Sequence, residues 1–425
     1  MNLNPEVIKL LDSSRPVPII LGGYVNGLGL ARALARLNLT SIILDYMPEI
    51  AFSSRFVAGQ ICPHPVDFET DFIQFLVDLG ARLRSPGFLL CTNDIWLIPV
   101  SRNQRLLEPN FLFPMSPWKV IEKAITKSEL YAQAKAADVP YPNTYYSCNL
   151  SELQTLRDVL TYPCVVKPSV TVGFMEAMGL PGRTVVVRGT EEFDRLAARI
   201  LEHGLQLTGL IIQEQIPGGV ENLYTITTYS NRDGEIIGYS IGHKIRQFPP
   251  DAGTIVAGRV KDRPELFVLA QRLIGFLGFH GIANTEFKLD PRDGIFKLIE
   301  INPRPGMWNY SALAAGINLP ALAYREALGE KLSPVGGTQK EIVWIRALDD
   351  IRNSFFLIRH RGYLNHTISF RAWLDSIRGK KVDAVFQWSD PLPFIHDVMN
   401  QLWGVARVLR RRASIPWRIA FGKQR

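Results

Sequence analysis

Cysteine is scarce in this 425-residue chain: Cys62, Cys91, Cys148 and Cys164 are all there is. Their spacing fits neither a metal knuckle nor a redox pair. That excludes a disulfide scaffold, a zinc module and a thiol oxidoreductase, and points to reduced thiols in a reducing compartment. No uninterrupted apolar run reaches the ~20 residues of a membrane-spanning helix. The opening MNLNPEVIKLLDSSRP has no long apolar core, so no secretory signal is expected and the setting is read as cytoplasmic. Most of the chain also lacks a charge field of one sign. The formal net charge is +8, and residues 341–425, with 15 Lys/Arg and 7 Asp/Glu, account for all of it. The near-neutral body carries no nucleic-acid footprint, so no nucleic-acid partner is expected.

The composition, 47% hydrophobic and 21% charged, is that of a folded protein, and the length calls for two or three domains. Pro16 to Leu21 reads as an apolar strand, residues 22–29 (GGYVNGLG) as a glycine-rich turn, Leu30 to Leu39 as an amphipathic helix, and Ser41 to Asp45 as a second buried strand. Asp45 lies about 20 residues after the glycines, as in a dinucleotide fingerprint. The strict G-x-G-x-x-G is absent, and glycines that permit close strand–helix packing explain the turn at least as well. A helix over Asp67 to Leu79 and a strand over Phe88 to Asp94 follow. Ligands gather at the carboxyl ends of strands in open α/β sheets, which makes Tyr24, Asn26, Arg55 and Asp94 pocket candidates.

Lys127 stands at the start of a helix running to about Ala137. A cation there opposes the helix dipole unless an anion or another task is present. Lys167 sits in the apolar strand Tyr162 to Pro168, where it needs a partner such as phosphate, or a path to water. Residues 169–183, with three glycines and a proline, read as a loop long enough to cover a phosphate. The strand Gly209 to Pro217 ends in Gln213, Glu214, Gln215 and Ile216 before two glycines, a hinge able to present backbone groups to a base edge. Glu221 follows. Leu223 to Ser230 and Glu235 to Arg246 form a hairpin about Asn231-Arg232-Asp233-Gly234. Strict alternation puts Lys244 and Arg246 on one face. Two cations there repel unless phosphate or carboxylate lies between them, and a solvated basic edge fits the spacing equally. Pro264 to Leu277 reads as an amphipathic helix.

The densest chemistry lies in FKLDPRDGIFKLIEINPRPGMWN, residues 287–309. Two alternating arms flank a run of turn formers, which predicts a β-hairpin. Glu286 precedes the first arm. Glu300 and Asn302 share a face of the second, and Arg304 follows between prolines. Hard oxygen ligands on one surface suit Mg2+, which takes one or two carboxylates plus waters and substrate phosphates. A solvated hairpin with Lys–Glu cross-strand pairs is the plainer alternative for such a short motif.

These pieces, in this order over roughly residues 17–325, resemble the ATP-grasp superfamily and, within it, carboxylate–amine ligases of the D-aspartate-ligase and carboligase type. The matching stretches are GGYVNGLGLAR, SSRFV, YPCVVKP, IIQEQIPGG, GHKIRQFPPDAG, GIANTEFKLD and KLIEINPRP. The resemblance implies an α/β and α+β ATP-grasp architecture. A Rossmann-like domain would span 1–120, a lid subdomain 121–215, a catalytic α+β subdomain 216–335 and a basic extension 336–425. It also implies ATP and Mg2+, with Mn2+ as a substitute. Lys127 and Lys167 would meet the phosphates, Gln213, Glu214 and Ile216 the adenine, and Glu221 the ribose. Glu286, Glu300 and Asn302 would hold the metal. Arg304 would steady an acyl-phosphate, with Lys244 and Arg246 on phosphate or substrate. The implied reaction activates a small-molecule carboxylate as acyl-phosphate and couples it to an amine, releasing ADP and phosphate. An ATP-grasp kinase and a non-catalytic nucleotide-binding protein at a membrane surface are the alternatives.

In the tail, Ile395, Val398, Met399, Leu402, Ala406 and Leu409 recur at helical spacing ahead of Arg410-Arg411-Arg412 and, later, Trp417, Arg418 and Lys423. Such a basic amphipathic helix suits peripheral contact with an anionic membrane, or packing on the core with a solvated basic end. A homodimer is also compatible with the chain.

Overall fold

A computed structural model describes residues 2–147, 150–168, 185–202, 210–249, 253–338, 340–356, 359–360, 363–364 and 367–413. The expected loop at 169–183, Cys148, and Trp417, Arg418 and Lys423 lie outside them.

The N-terminal sheet has five parallel strands: β1 (Pro18–Leu21), β2 (Ser41–Asp45), β3 (Val57–Ile61), β4 (Gly87–Cys91) and β5 (Phe111–Leu112), in the order β3-β2-β1-β4-β5. Every residue of β1, β2 and β4 is buried, as expected of a parallel sheet covered on both faces. Strand order reverses between β1 and β4, so a crevice opens at residues 22–24 and 92–94. The helix after β1 runs Val25–Ala35. It starts five residues before the expected Leu30, because Gly27 and Gly29 are absorbed into it. A Cβ on Gly27 would collide with the Gly22 carbonyl oxygen, and Gly22 itself has φ +99°. The glycines therefore serve close packing. Asp45 is committed as well: its carboxylate accepts from the Gly23 N–H at 2.7 Å and the Tyr46 N–H at 2.8 Å, which pins the turn.

A second sheet is antiparallel: β6 (Thr144–Ser147), β7 (Cys164–Pro168), β8 (Val185–Val187) and β9 (Leu210–Glu214), in the order β6-β9-β7-β8. Its apolar core is its own, built from Leu153, Val166, Phe193, Ile200 and Ile212 among others. The third sheet has seven strands: β10 (Leu223–Ser230), β11 (Ile236–Phe248), β12 (Thr254–Val260), β13 (Gly281–Leu289), β14 (Phe296–Asn302), β15 (Ile342–Ile345) and β16 (Lys381–Asp383). Their order is β14-β13-β10-β11-β12-β15-β16.

Two expected boundaries differ from this architecture. The helix Lys127–Ala136 contributes Leu130 and Ala134 to the core of the large sheet, not to that of the lid. And the chain beyond 335 is no appendage. The four residues of β15 are all buried, pair with β12 and carry β16 alongside. Further on, buried Asp390 accepts from Arg32 Nε at 3.0 Å, Ser54 Oγ at 2.8 Å and the Arg55 N–H at 3.0 Å. Arg55 is thereby drawn away from the crevice proposed for it: its guanidinium lies over the Phe56 ring.

The Arg32–Asp390 pair yields a stability prediction. Both side chains are 1% exposed, so Asp390→Ala leaves a buried guanidinium without its counter-charge. Urea unfolding should show a loss of about 3–5 kcal/mol.

Candidate functional site

The hairpin forms as its sequence predicts, with β13 and β14 paired antiparallel and Gly294 at φ +73° in the connecting turn. The register places Glu286 directly opposite Glu300 and Asn284 opposite Asn302. Pairing then slips, so that Phe287 faces Leu298 and Ile299 is the extra residue. This bulge re-aims the chain. The Ile299 carbonyl accepts from Lys127 Nζ at 3.2 Å and from the Tyr131 hydroxyl at 2.9 Å. Lys127 thus reaches the hairpin from the first turn of its helix, with Nζ 3.9 Å from a Glu300 oxygen.

Two carboxylates facing across a strand pair repel, and cations gather around them. Lys244 Nζ donates to both Glu286 oxygens, at 2.7 and 3.2 Å. Burial raises the pKa of Glu286 and Glu300 pushes the same way, while Lys244 draws it back. Asn302 Nδ2 donates to Glu300 Oε1 at 3.0 Å, and Asn302 Oδ1 accepts from Arg304 Nη2 at 3.2 Å. Arg304 in turn forks onto Asp94 at 2.8 and 3.2 Å, across the crevice of the parallel sheet.

Lys167 approaches from the lid, its Nζ 3.3 Å from Gln213 Oε1. Gln213 is buried and donates to Tyr131 and Thr144, so its side chain is a joint within the protein. Glu214 is another joint: its carboxylate meets Arg292 of the hairpin turn and the Asn143 N–H. The Ile216 carbonyl accepts from Lys288 Nζ at 2.8 Å. Glu221 is exposed, and its carboxylate accepts from the Gly219 N–H at 2.9 Å.

Arg246 departs from the expected pairing with Lys244. The β11–β12 ladder is irregular between Lys244 and Gln247. The Arg246 guanidinium is held by Asp350 at 2.6 and 2.7 Å and by Ser376 at 2.5 Å, while Lys244 turns to Glu286. Strict alternation failed because irregular pairing broke the period on which it depends.

Sequence reasoning missed a polar cavity of about 370 Å³ between the glycine-rich turn and the chain beyond 335. Tyr24, Met307, Arg346, Asp349, Arg352 and Gln401 help line it. Arg346 sits over the Tyr24 ring at 4.7 Å, 2.7 Å from Asp349 and 3.5 Å from Asp397. Met307, three residues after Arg304, joins the cavity to the hairpin. The one hint in the sequence was Tyr24 in the glycine-rich turn after β1; Arg346 belongs to no motif.

The donor set is suited to a hard cation. Among the described residues no three His, Cys, Asp or Glu side chains cluster as a metal site. Two carboxylates and an amide do converge on the hairpin. A set that small leaves positions for water and phosphate, which is how Mg2+ is usually held.

A family model described as ATP-grasp in the biosynthetic pathway with Ter operon matches residues 247–349. The chain is 25% identical over 330 residues to D-aspartate ligase of Enterococcus faecium (strain Aus0004), covering 74% of this chain and 77% of that protein. Among solved structures, L-amino acid ligase from Bacillus licheniformis is similar with a TM-score of 0.56 at 18% identity, covering 74% and 75% of the two chains. N5-carboxyaminoimidazole synthetase from Staphylococcus aureus is similar with a TM-score of 0.62 at 14% identity, covering 89% and 100%. At these identities the two structures speak to the fold alone.

Lys167 generates a pH prediction. Burial, then the neighbouring Lys127, lower its pKa to about 8, with Glu300 opposing. Above that value the amine is neutral and attracts phosphate less. ATP affinity measured by calorimetry should fall as pH rises through about 8, and Lys167→Met should flatten the profile and weaken binding about 10- to 100-fold. Stability has the opposite sign. The unfolded lysine keeps its proton up to about 10.5, so this group's contribution to the stability of the nucleotide-free protein rises between the two values.

Proposed function

We propose that this chain, a member of the ATP-grasp superfamily, is an ATP-dependent ligase that activates a small-molecule carboxylate and couples it to an amine. The observation that carries the reading is Glu286 opposite Glu300, with Asn302 beside them and Lys127, Lys167 and Lys244 around them. The similarity to D-aspartate ligase over three quarters of both chains supports it independently.

In this reading Glu286, Glu300 and Asn302 hold Mg2+ or Mn2+, which would neutralise and orient the phosphates of ATP. Lys127 and Lys167 bind the same phosphates from two sides. Phosphoryl transfer needs positioning and charge stabilisation more than covalent help, and these lysines supply both. The hinge after Gln213 and Glu214 frames the adenine with backbone groups near Ile216, and exposed Glu221 is placed to meet the ribose. The substrate carboxylate attacks the γ-phosphorus, the bond to ADP breaks and an acyl-phosphate forms. The amine then attacks the acyl carbon and phosphate leaves. Arg304 stays protonated throughout and steadies the developing charge, with its orientation set by Asp94. Lys244, which now holds Glu286, would be free to meet phosphate where a divalent cation held that carboxylate. Arg246 works from behind, tying β11 to Asp350. The cavity beside Met307 and Arg346 is the place for the organic substrates. The same reading sets the enzyme in the cytoplasm, with a membrane surface or a second subunit as the macromolecular contacts open to it.

A screen of ADP release over amino acids and small carboxylates tests the proposal. Release should require a carboxylate and an amine together. Glu300→Ala should lower it about 100-fold or more, since each ligand supplies several kcal/mol of charge stabilisation. Unchanged turnover in that variant removes Glu300 from the metal site. Release that needs no amine identifies a phosphotransferase instead.

A further inference from the structure

The helix Leu392–Ala413 has two faces with different duties. One is docked on the protein. Phe394 packs edge-on against Phe386, with ring centroids 5.3 Å apart, and His396 Nδ1 lies 2.9 Å from Ser53 Oγ. Asp397 is buried beside Arg346, and Gln401 lines the cavity. The other face is apolar, and among the described residues nothing covers it. Leu392, Ile395, Met399, Leu402 and Trp403 are 48–60% exposed. At helical periodicity these five fall within an arc of about 100°, the width of the stripe that a surface helix ordinarily buries. Here it faces solvent.

The charge of the same segment says what covers it. Residues 398–425 contain seven Lys/Arg, Arg407 and Arg410 to Arg412 among them, and no Asp or Glu. A second copy of this chain would bring the same cations against them, and like charges set face to face oppose association. An anionic lipid surface offers the complement: acyl chains for the apolar stripe and headgroups for the basic residues. Trp403 is the type of side chain that settles at that boundary. No helix among the described residues is long and apolar enough to cross a membrane, so the contact is one of lying on the surface.

We infer that the outer face of the helix Leu392–Ala413 docks this protein on an anionic bilayer while its inner face forms a wall of the cavity lined by Arg346 and Gln401. The inference names a partner for the proposed ligase but stands on different residues, and it is read by binding without turnover. The test is flotation of the full chain with vesicles of phosphatidylcholine alone or mixed with phosphatidylglycerol, at low and high salt. The protein should float with the mixed vesicles at low salt, far less with phosphatidylcholine alone, and less again as salt rises. The double variant M399E/L402E should weaken flotation about tenfold or more, with its urea midpoint unchanged because both side chains already lie in water. Failure of the parent protein to float with mixed vesicles at low salt overturns the inference. So does a parent dimer, seen by light scattering, that the same double variant dissolves without any lipid binding. ADP release is measured separately on the same preparations, so loss of the ligase reading and loss of the docking reading are told apart.

Discussion

Two carboxylates fixed opposite each other on neighbouring strands, Glu286 and Glu300, set the terms for the rest of the molecule. Burial raises the pKa of Glu286 and the facing Glu300 pushes the same way, and the cost of keeping Glu286 ionised is offset by positive charge brought close. Lys244 supplies it from β11 and Lys127 from a helix start, and Lys167 stands near them with its pKa lowered by burial and then by Lys127. The site is therefore an electrostatic balance already made in the free protein. In the proposed reading a divalent cation with a polyphosphate would replace it charge for charge, the metal on the carboxylates and the phosphates on the lysines.

That exchange needs three bodies to stay in register, and the contacts between them are specific. The lid is tied to the hairpin by Glu214 with Arg292, and by Lys288 donating to the Ile216 carbonyl. The parallel sheet is tied to the large sheet by Arg304 with Asp94, and by Asn309 Nδ2 donating to the Asn26 carbonyl. The chain beyond 335 closes the assembly from behind, through Asp390 on Arg32 and Ser54. Joints of this kind come from loops and strand ends, where side chains converge from distant parts of the sequence. The four-stranded sheet keeps a separate apolar core, so these joints rather than shared packing set its position against the carboxylate pair.

How much of this the sequence disclosed depended on range. The hairpin, its turn and its four polar residues were legible because they lie within about twenty positions and obey a period of two. Lys127 and Lys167 were legible as cations in places that penalise a cation. Arg246 was misplaced because its partner, Asp350, lies 104 residues further on and the ladder beside it is irregular. The chain beyond 335 read only as a basic extension, with its helix on a membrane or on the core, for a related reason. A four-residue strand such as β15 has no pattern of its own, and only its neighbour β12 makes it part of a sheet. The cavity around Arg346 was invisible on the same grounds, since it is assembled from the first strand–helix turn, the segment after Arg304 and two helices of the C-terminal third.

If Asn302 is the third ligand, as proposed, its amide shows why that ligand need not be an acid. A third carboxylate would add another negative charge beside the pair, and the two lysines that touch the pair are already matched to two. Asn302 offers an oxygen with no charge to compensate. Its Nδ2 braces Glu300 and its Oδ1 is held by Arg304. The same guanidinium reaches Asp94 of the parallel sheet. In the proposed reading a cation held by the Asn302 oxygen would compete with Arg304 for it and leave the guanidinium to Asp94 and the substrate. Metal binding, the freedom of Arg304 and the seating of the parallel sheet against the large one would then be linked through one side chain, and the reactive geometry would be conditional on a loaded site.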